Sequence, residues 1–154
     1  NPEFKIGDLM IIDDHINFFP EHPLHGKNFP TGPRFPDMHE TYDHELIALA
    51  DKIAKEKNIK VVHGVYTGVQ GPTFETPAEY RMYHTLGGDA VGMSTVPEVI
   101  VAHHCGIKTF GISIITDLGG FDNPVEVSHE EVQVAANAAQ PVMTEIMREM
   151  IKRS

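Results

Sequence analysis

The chain has 154 residues, 41% hydrophobic and 22% charged, enough for one domain with a real core. A formal net charge of −10 with no long basic run argues against nucleic acid or an anionic membrane surface as partner, and no apolar stretch approaches the length of a membrane span. The single Cys105, in an apolar stretch, reads as a buried structural thiol in a reducing cytoplasm, although the chain opens on Asn1-Pro2 rather than Met and the lack of a signal peptide therefore says little.

Residues 7–12, GDLMII, predict a short strand that Asp13, Asp14, His15, Ile16 and Asn17 continue as a polar end. Between Phe18 and Met38 fall five prolines, two glycines and three further phenylalanines. That composition predicts a long structured loop of the kind that serves binding or contact. Phe29 and Phe35 on it are costly in water and are expected to pack on the domain body or on another subunit. Residues 42–58 predict an amphipathic helix, with Leu46, Ile47, Leu49, Ala50, Ile53 and Ala54 on one stripe and Asp51, Lys52, Lys55 and Glu56 outward. The apolar run 60–69 predicts a strand.

Gly71-Pro72 then forces a turn that carries Thr73, Phe74 and Glu75. Thr76 caps a helix over 77–86, Pro77 suits its first turn, Glu79 completes a capping box, and Gly87-Gly88 stops it. Residues 89–92 predict a short strand ending at Met93-Ser94. Thr95 and Glu98 form a second capping box, for a helix over 97–104 that ends at Gly106. Residues 107–115 read as a continuous apolar strand covered on both faces. Residues 116–127 read as irregular. Ser128 and Glu131 form a third capping box for the last helix, which Pro141 is expected to kink or divide. Strands alternating with helices predict an α/β fold: a mixed, mostly parallel sheet flanked by helices, in one unit over residues 1–154.

Open α/β sheets bind ligands at the carboxyl ends of their strands. Glu75 stands on such a turn, beside an aromatic and two hydroxyls and with no cationic neighbour in sequence. It can accept N–H bonds from a polar ligand, or serve as a solvated turn carboxylate. Ser94, between a strand end and a helix cap, can give O–H and N–H to a phosphate, or simply join the cap. Thr116-Asp117 can meet a ligand or form a turn. His129 starts a helix, where the dipole disfavours its charged form, so it is either a neutral donor or acceptor at a site or a surface histidine. His22 with His25, His39 with His44, and His103-His104-Cys105 are the tight histidine groups. None has a zinc-site pattern, and no metal site is expected. GxSxG, P-loop and dinucleotide fingerprints are absent from the sequence.

The runs GPTFETPAE at 71–79 and VGMSTVPE at 91–98, with the matching stretches at 7–17, RFPDM at 34–38 and SHEEV at 128–132, resemble the trimeric purine nucleoside phosphorylases. The resemblance runs in order over essentially the whole chain. It implies a phosphorylase/hydrolase-like fold and reversible phosphorolysis of inosine- or guanosine-type nucleosides to free base and ribose 1-phosphate, in cytoplasmic purine salvage. It also implies residue roles. Glu75 would accept N1–H of a 6-oxopurine, Phe74 would pack on the base, and Val69 and Val91 would line its pocket. Tyr66 and Met93 would flank the ribose, Thr116 would join the substrate contacts, and His129 would bond the ribose 5′-hydroxyl. Ser94 would hold phosphate, and Phe35 would reach into a neighbouring subunit's site in a homotrimer. Inorganic phosphate would be the co-substrate, with no metal or redox cofactor.

The sequence departs from this family in two ways. Asp117 stands where the 6-oxopurine enzymes usually carry Asn, and an ionised carboxylate only accepts where an amide can donate. Either Asp117 is protonated in the complex, or it accepts from a 6-amino group and shifts preference toward adenosine- or methylthioadenosine-type substrates. The methylthioadenosine phosphorylases carry Asp here but lack the Glu, and this chain has both. The family's amino-terminal half, with the first strands, a glycine-rich phosphate turn and an Arg and a His for phosphate, has no counterpart. The chain is therefore expected to be the carboxyl-terminal part of a single phosphorylase domain, with a sheet incomplete at its amino-terminal side and no activity alone. A non-catalytic nucleoside-binding module and a hydrolase that uses water in place of phosphate are the other readings.

Overall fold

The structure, a computed structural model, describes residues 1–119 and 128–154. Strands β1 (Leu9–Asn17), β2 (Val61–Gly68), β3 (Ala90–Gly92) and β4 (Ile112–Ile114) alternate with helices α1 (His44–Glu56), α2 (Pro77–Thr85), α3 (Val96–His104) and α4 (His129–Arg153). The sheet runs β3-β2-β1-β4, with β1, β2 and β3 parallel and β4 antiparallel to β1. This is the mixed, mostly parallel α/β architecture expected from the sequence.

β1 is the wall between two cores. Successive strand residues face opposite sides. Met10 and Ile12 therefore pack with Tyr42, Tyr66 and the α3 residues Val96, Val99 and Ile100. Leu9 and Ile11 pack with Ala50, Ile53 and Ala54 of α1 and Ala139, Ile146 and Met150 of α4. All four β1 side chains are at most 2% exposed, and each such burial contributes roughly 1.5–3 kcal/mol. Past Ile12 the strand bulges, its pairing with β2 slipping between Ile12 and Asp14. Asp13 thereby meets His63, whose Nδ1 lies 2.8 Å from Asp13 Oδ1 and whose Nε2 lies 2.9 Å from Asp51 Oδ1 of α1.

Several expectations change. The capping boxes at Thr76 and Ser128 form, but Thr95 makes no side-chain cap bond. Thr95 sits at φ 74, ψ −56, and Val96 N–H donates to Ser94 O at 2.8 Å. This is a γ-turn with a positive-φ centre, a strained conformation for a β-branched residue, and the chain uses it to turn from β3 into α3. The run 107–115 pairs only over Ile112–Ile114, at a sheet edge, and Ile107 is exposed. Before that, Thr109 O turns away from the sheet to accept from Asp43 N–H, and Gly111 O accepts from Ile12 N–H of β1, both at 2.9 Å. Pro141 neither ends nor divides α4. Pro141 and Asn137, one turn before it, are both exposed, so the carbonyl that loses its partner there can reach water.

Cys105 is exposed rather than buried, because it closes α3 at the surface, where its Sγ approaches Thr31 Oγ1 at 3.9 Å. Phe29 and Phe35 are 71% and 87% exposed, so the domain body does not cover them. The Arg34 guanidinium lies 5.8 Å from the centre of the Phe35 ring. Among the described residues no helix is long and apolar enough to cross a membrane, and no three His, Cys, Asp or Glu side chains gather as metal ligands would.

Candidate active site

The turn after β2 is built against the end of β3. Val69 N–H donates to Gly92 O at 2.9 Å. Gly71 takes φ 67, and a Cβ there would run into the Met93 thioether, so both backbone conformation and space require glycine. The Gly71-Pro72 bond is cis. The Thr76–Glu79 capping box then starts α2, with Glu79 Oε2 accepting Thr76 N–H at 2.7 Å. This frame holds Phe74 and Glu75 in the lining of a cavity of about 280 Å³.

Six residues singled out in the sequence line that cavity: Phe74, Glu75, Val91, Met93, Thr116 and Asp117. Both edge strands contribute, Ala90–Gly92 from β3 and Ser113 and Ile114 from β4, so the sheet curls around the site. The expectation that the site gathers only carboxyl ends of parallel strands needs correcting, because Asp117 follows β4, which runs antiparallel to β1.

The other candidates lie apart from the lining. Tyr66 is buried in the core, its hydroxyl packed against Gly92, where a Cβ would overlap it. Val69 is buried behind the turn. Ser94 is exposed next to Met93, its Oγ 3.1 Å from Thr95 Oγ1. His129, exposed, opens α4, and its Nε2 accepts from Gln133 Nε2 at 2.9 Å. Val132, within the same first turn of α4, does line the cavity. Phe35 stays on the long loop, outside the lining. From residue 120 onward, the irregular stretch expected over 116–127 lies outside the described residues.

The wall is acidic. Burial pushes the Glu75 carboxyl above its usual range, and the nearby Asp117 and Glu79 charges add to this against the opposing bonds from its own N–H and from the Tyr80 hydroxyl. Asp117 is half-buried and accepts from its own loop, Gly119 N–H to Oδ1 at 3.1 Å and Thr116 Oγ1–H to Oδ2 at 3.4 Å. Burial, then the Asp117 and Glu75 charges, push the Tyr80 phenol up, so it stays a proton donor. The carboxyl groups of Glu75, Asp89 and Asp117 and the phenols of Tyr80 and Tyr83, set among apolar side chains, suit a flat, polar heterocycle that offers N–H groups.

Tyr80, Tyr83 and Gly119 line the cavity and were not singled out in the sequence. Tyr80 had a readable signal, since side chains in a first helical turn lean back over the turn before it. Gly119 had none.

The sequence profile of the phosphorylase superfamily matches residues 1–152. Purine nucleoside phosphorylase 1 of Bacillus subtilis is 57% identical over 135 residues, 86% of this chain and 49% of that protein. Purine nucleoside phosphorylase of Bos taurus is 45% identical over 147 residues, 90% of this chain and 51% of that protein. A crystal structure of Schistosoma mansoni purine nucleoside phosphorylase in complex with adenosine matches with a TM-score of 0.92 at 37% identity, over 98% of this chain and 57% of that one. Isoform 2 from the same organism, in complex with cytosine and ribose-1-phosphate, matches with a TM-score of 0.94 at 42% identity, over 99% and 56%. The chain spans about half the length of the curated relatives it matches.

Proposed function

The chain belongs to the phosphorylase superfamily, and from that premise we propose that it carries the base- and ribose-facing part of a purine nucleoside phosphorylase. The supporting observation is the convergence of Phe74, Glu75, Met93, Thr116 and Asp117 on one cavity of about 280 Å³. Phosphorolysis develops positive charge on the ribose and negative charge on the departing purine. In this reading Glu75 accepts N1–H of an inosine- or guanosine-type base and fixes its orientation by a charge-assisted bond, with Phe74 and Val91 packed on the ring. Met93 and Tyr66 bound the ribose side, His129 meets the 5′-hydroxyl, and Ser94 donates to phosphate beside the strained turn at Thr95.

The matched relatives carry about as much chain again outside the match, and the remaining phosphate donors are expected from such a part. A homotrimer in which exposed Phe35 enters a neighbour's site, phosphate as sole co-substrate, and a cytoplasmic role in purine salvage complete the proposal. The test is calorimetric titration of the 154-residue chain with hypoxanthine, paired with an assay of inosine cleavage. Hypoxanthine binding that Glu75→Gln abolishes, with no turnover by this chain alone, is the expected result. No binding to wild type, or equal binding to the variant, would reject the assignment.

A second reading has its own observation. Both Asp117 oxygens already accept from their own loop, so the group turned to the ligand is an acceptor. An acceptor suits a 6-amino purine, and adenine binding at least as tightly as hypoxanthine would select adenosine-type substrates.

A further inference from the structure

Glu75 and Asp117, two of the acids that line the cavity, are joined through a residue to which the proposed reaction gives no part. Tyr80 lies in the first turns of α2, its N–H donating to Thr76 O at 3.1 Å. It lines the cavity together with Glu75, and its hydroxyl lies near enough to that carboxyl for a hydrogen bond that opposes the upward push of burial. Its ring meets the other acid's loop: a Cβ on Gly119 would stand 2.8 Å from Cε1, Cε2 and Cζ alike. Equal distances to those three atoms place that Cβ position on the axis of the ring, so Gly119 sits over the ring face. Gly119 holds φ 62 and donates its N–H to Asp117 Oδ1 at 3.1 Å.

We propose that Tyr80 is a positioning residue for purine recognition, orienting Glu75 through its hydroxyl and seating the Asp117 loop through its ring face. The proposal rests on the base-pocket reading above. A glutamate side chain has three rotatable bonds, and two carboxylates around one cavity repel each other. A fixed donor on Glu75, added to its own N–H, limits both effects and leaves the carboxylate's remaining lone pairs for the ligand. The phenol serves because it reaches the turn from the helix and keeps its proton across the working pH range. The required contact at Gly119 explains why that position carries no side chain: any Cβ would drive into the ring.

The test compares the full 154-residue chain with Tyr80→Phe, which keeps the ring and removes only the hydroxyl. Hypoxanthine affinity is measured across pH, and the Glu75 carboxyl is followed by carbon NMR without ligand. A hydrogen bond to an ionised group favours ionisation. Its removal should move the Glu75 midpoint upward, weaken hypoxanthine about tenfold, and shift the acid limb of the binding profile to higher pH by the same interval. A merely structural role would lower affinity without moving either midpoint. Unchanged affinity with an unchanged Glu75 midpoint overturns the proposal. A wild-type chain that binds no purine overturns the base-pocket reading instead, and the ligand-free Glu75 midpoint then still decides whether Tyr80 orients that carboxylate. Should Tyr80→Phe misfold, Gly119→Ala gives the second arm, because crowding the ring should also raise the Glu75 midpoint.

Discussion

Glu75 works against the stability of the protein that carries it. Burial raises its pKa above the ordinary 4.5, so the folded chain binds that proton more tightly than the unfolded one does. The contribution of such an acid is complete below its unfolded value and is lost as pH rises toward the folded one. Glu75→Gln should therefore melt higher than wild type at pH 7 and equal to it near pH 4. The gain should stay under about 1 kcal/mol because the carboxylate is half in water. The same variant should lose its purine, and a stability gain joined to a binding loss distinguishes a functional carboxylate from a structural one. Thermal melts across that pH range decide it: a variant less stable at pH 7 would mark Glu75 as structural. In the sequence this residue was legible as a turn carboxylate without a cation. Its partner was less so, because Tyr80 reaches it around the start of a helix.

At the scale of elements, the chemistry that was legible in sequence is the chemistry that closes locally. Thr76 with Glu79 and Ser128 with Glu131 need only one helical turn, and both boxes form. Thr95 with Glu98 has the same spacing, but the chain must reverse directly after β3, so Thr95 takes a positive φ from which its hydroxyl makes no cap bond. Ser128→Ala should therefore cost about 1 kcal/mol, whereas Thr95→Ala, with no cap to lose and a β-branch to relieve, should be neutral or stabilising. Denaturation midpoints showing equal losses for the two would contradict the geometry. Long-range ties were not legible, and His63 is the clearest. Its partial burial opposes the charged ring, but the bonds to Asp13 and Asp51 outweigh that and hold its pKa above the usual 6.5. The stabilisation is then complete below 6.5 and fades as pH rises through the raised folded value. His63→Gln should cost up to about 1 kcal/mol at pH 6 and close to nothing at pH 9, discounted for an imidazole that is over a third exposed. Equal losses at both pH values would mean that the imidazole serves only as packing.

For the whole molecule, composition foretold a real core but not its division into two. The run 107–115 read as a covered strand because apolar content reports burial and not hydrogen-bond partners, and only Ile112–Ile114 takes up strand pairing with β1. The long loop read correctly as a loop, yet its Phe29 and Phe35 stay exposed and do not pack on the domain body. What joins the molecule is β1, with Ile11 in the α1/α4 core and Ile12 in the α3 core. Adjacent residues thus report on opposite layers. If the sheet couples the layers, a lesion on either side must loosen both. Each of Ile11→Ala and Ile12→Ala removes buried methylenes from a fully enclosed position and should cost about 2–5 kcal/mol. Each should nonetheless unfold in one transition, with helix signal and tyrosine environment lost together. The tyrosines make the comparison sharp, because Tyr42 and Tyr66 sit in the Ile12 core and none lies in the Ile11 core. For Ile11→Ala, helix signal that melts before the tyrosine signal would mean that α1 and α4 detach while the α3 side persists. The cavity, which draws residues from β3, β4 and the start of α4 together, would then not be the property of one cooperative unit.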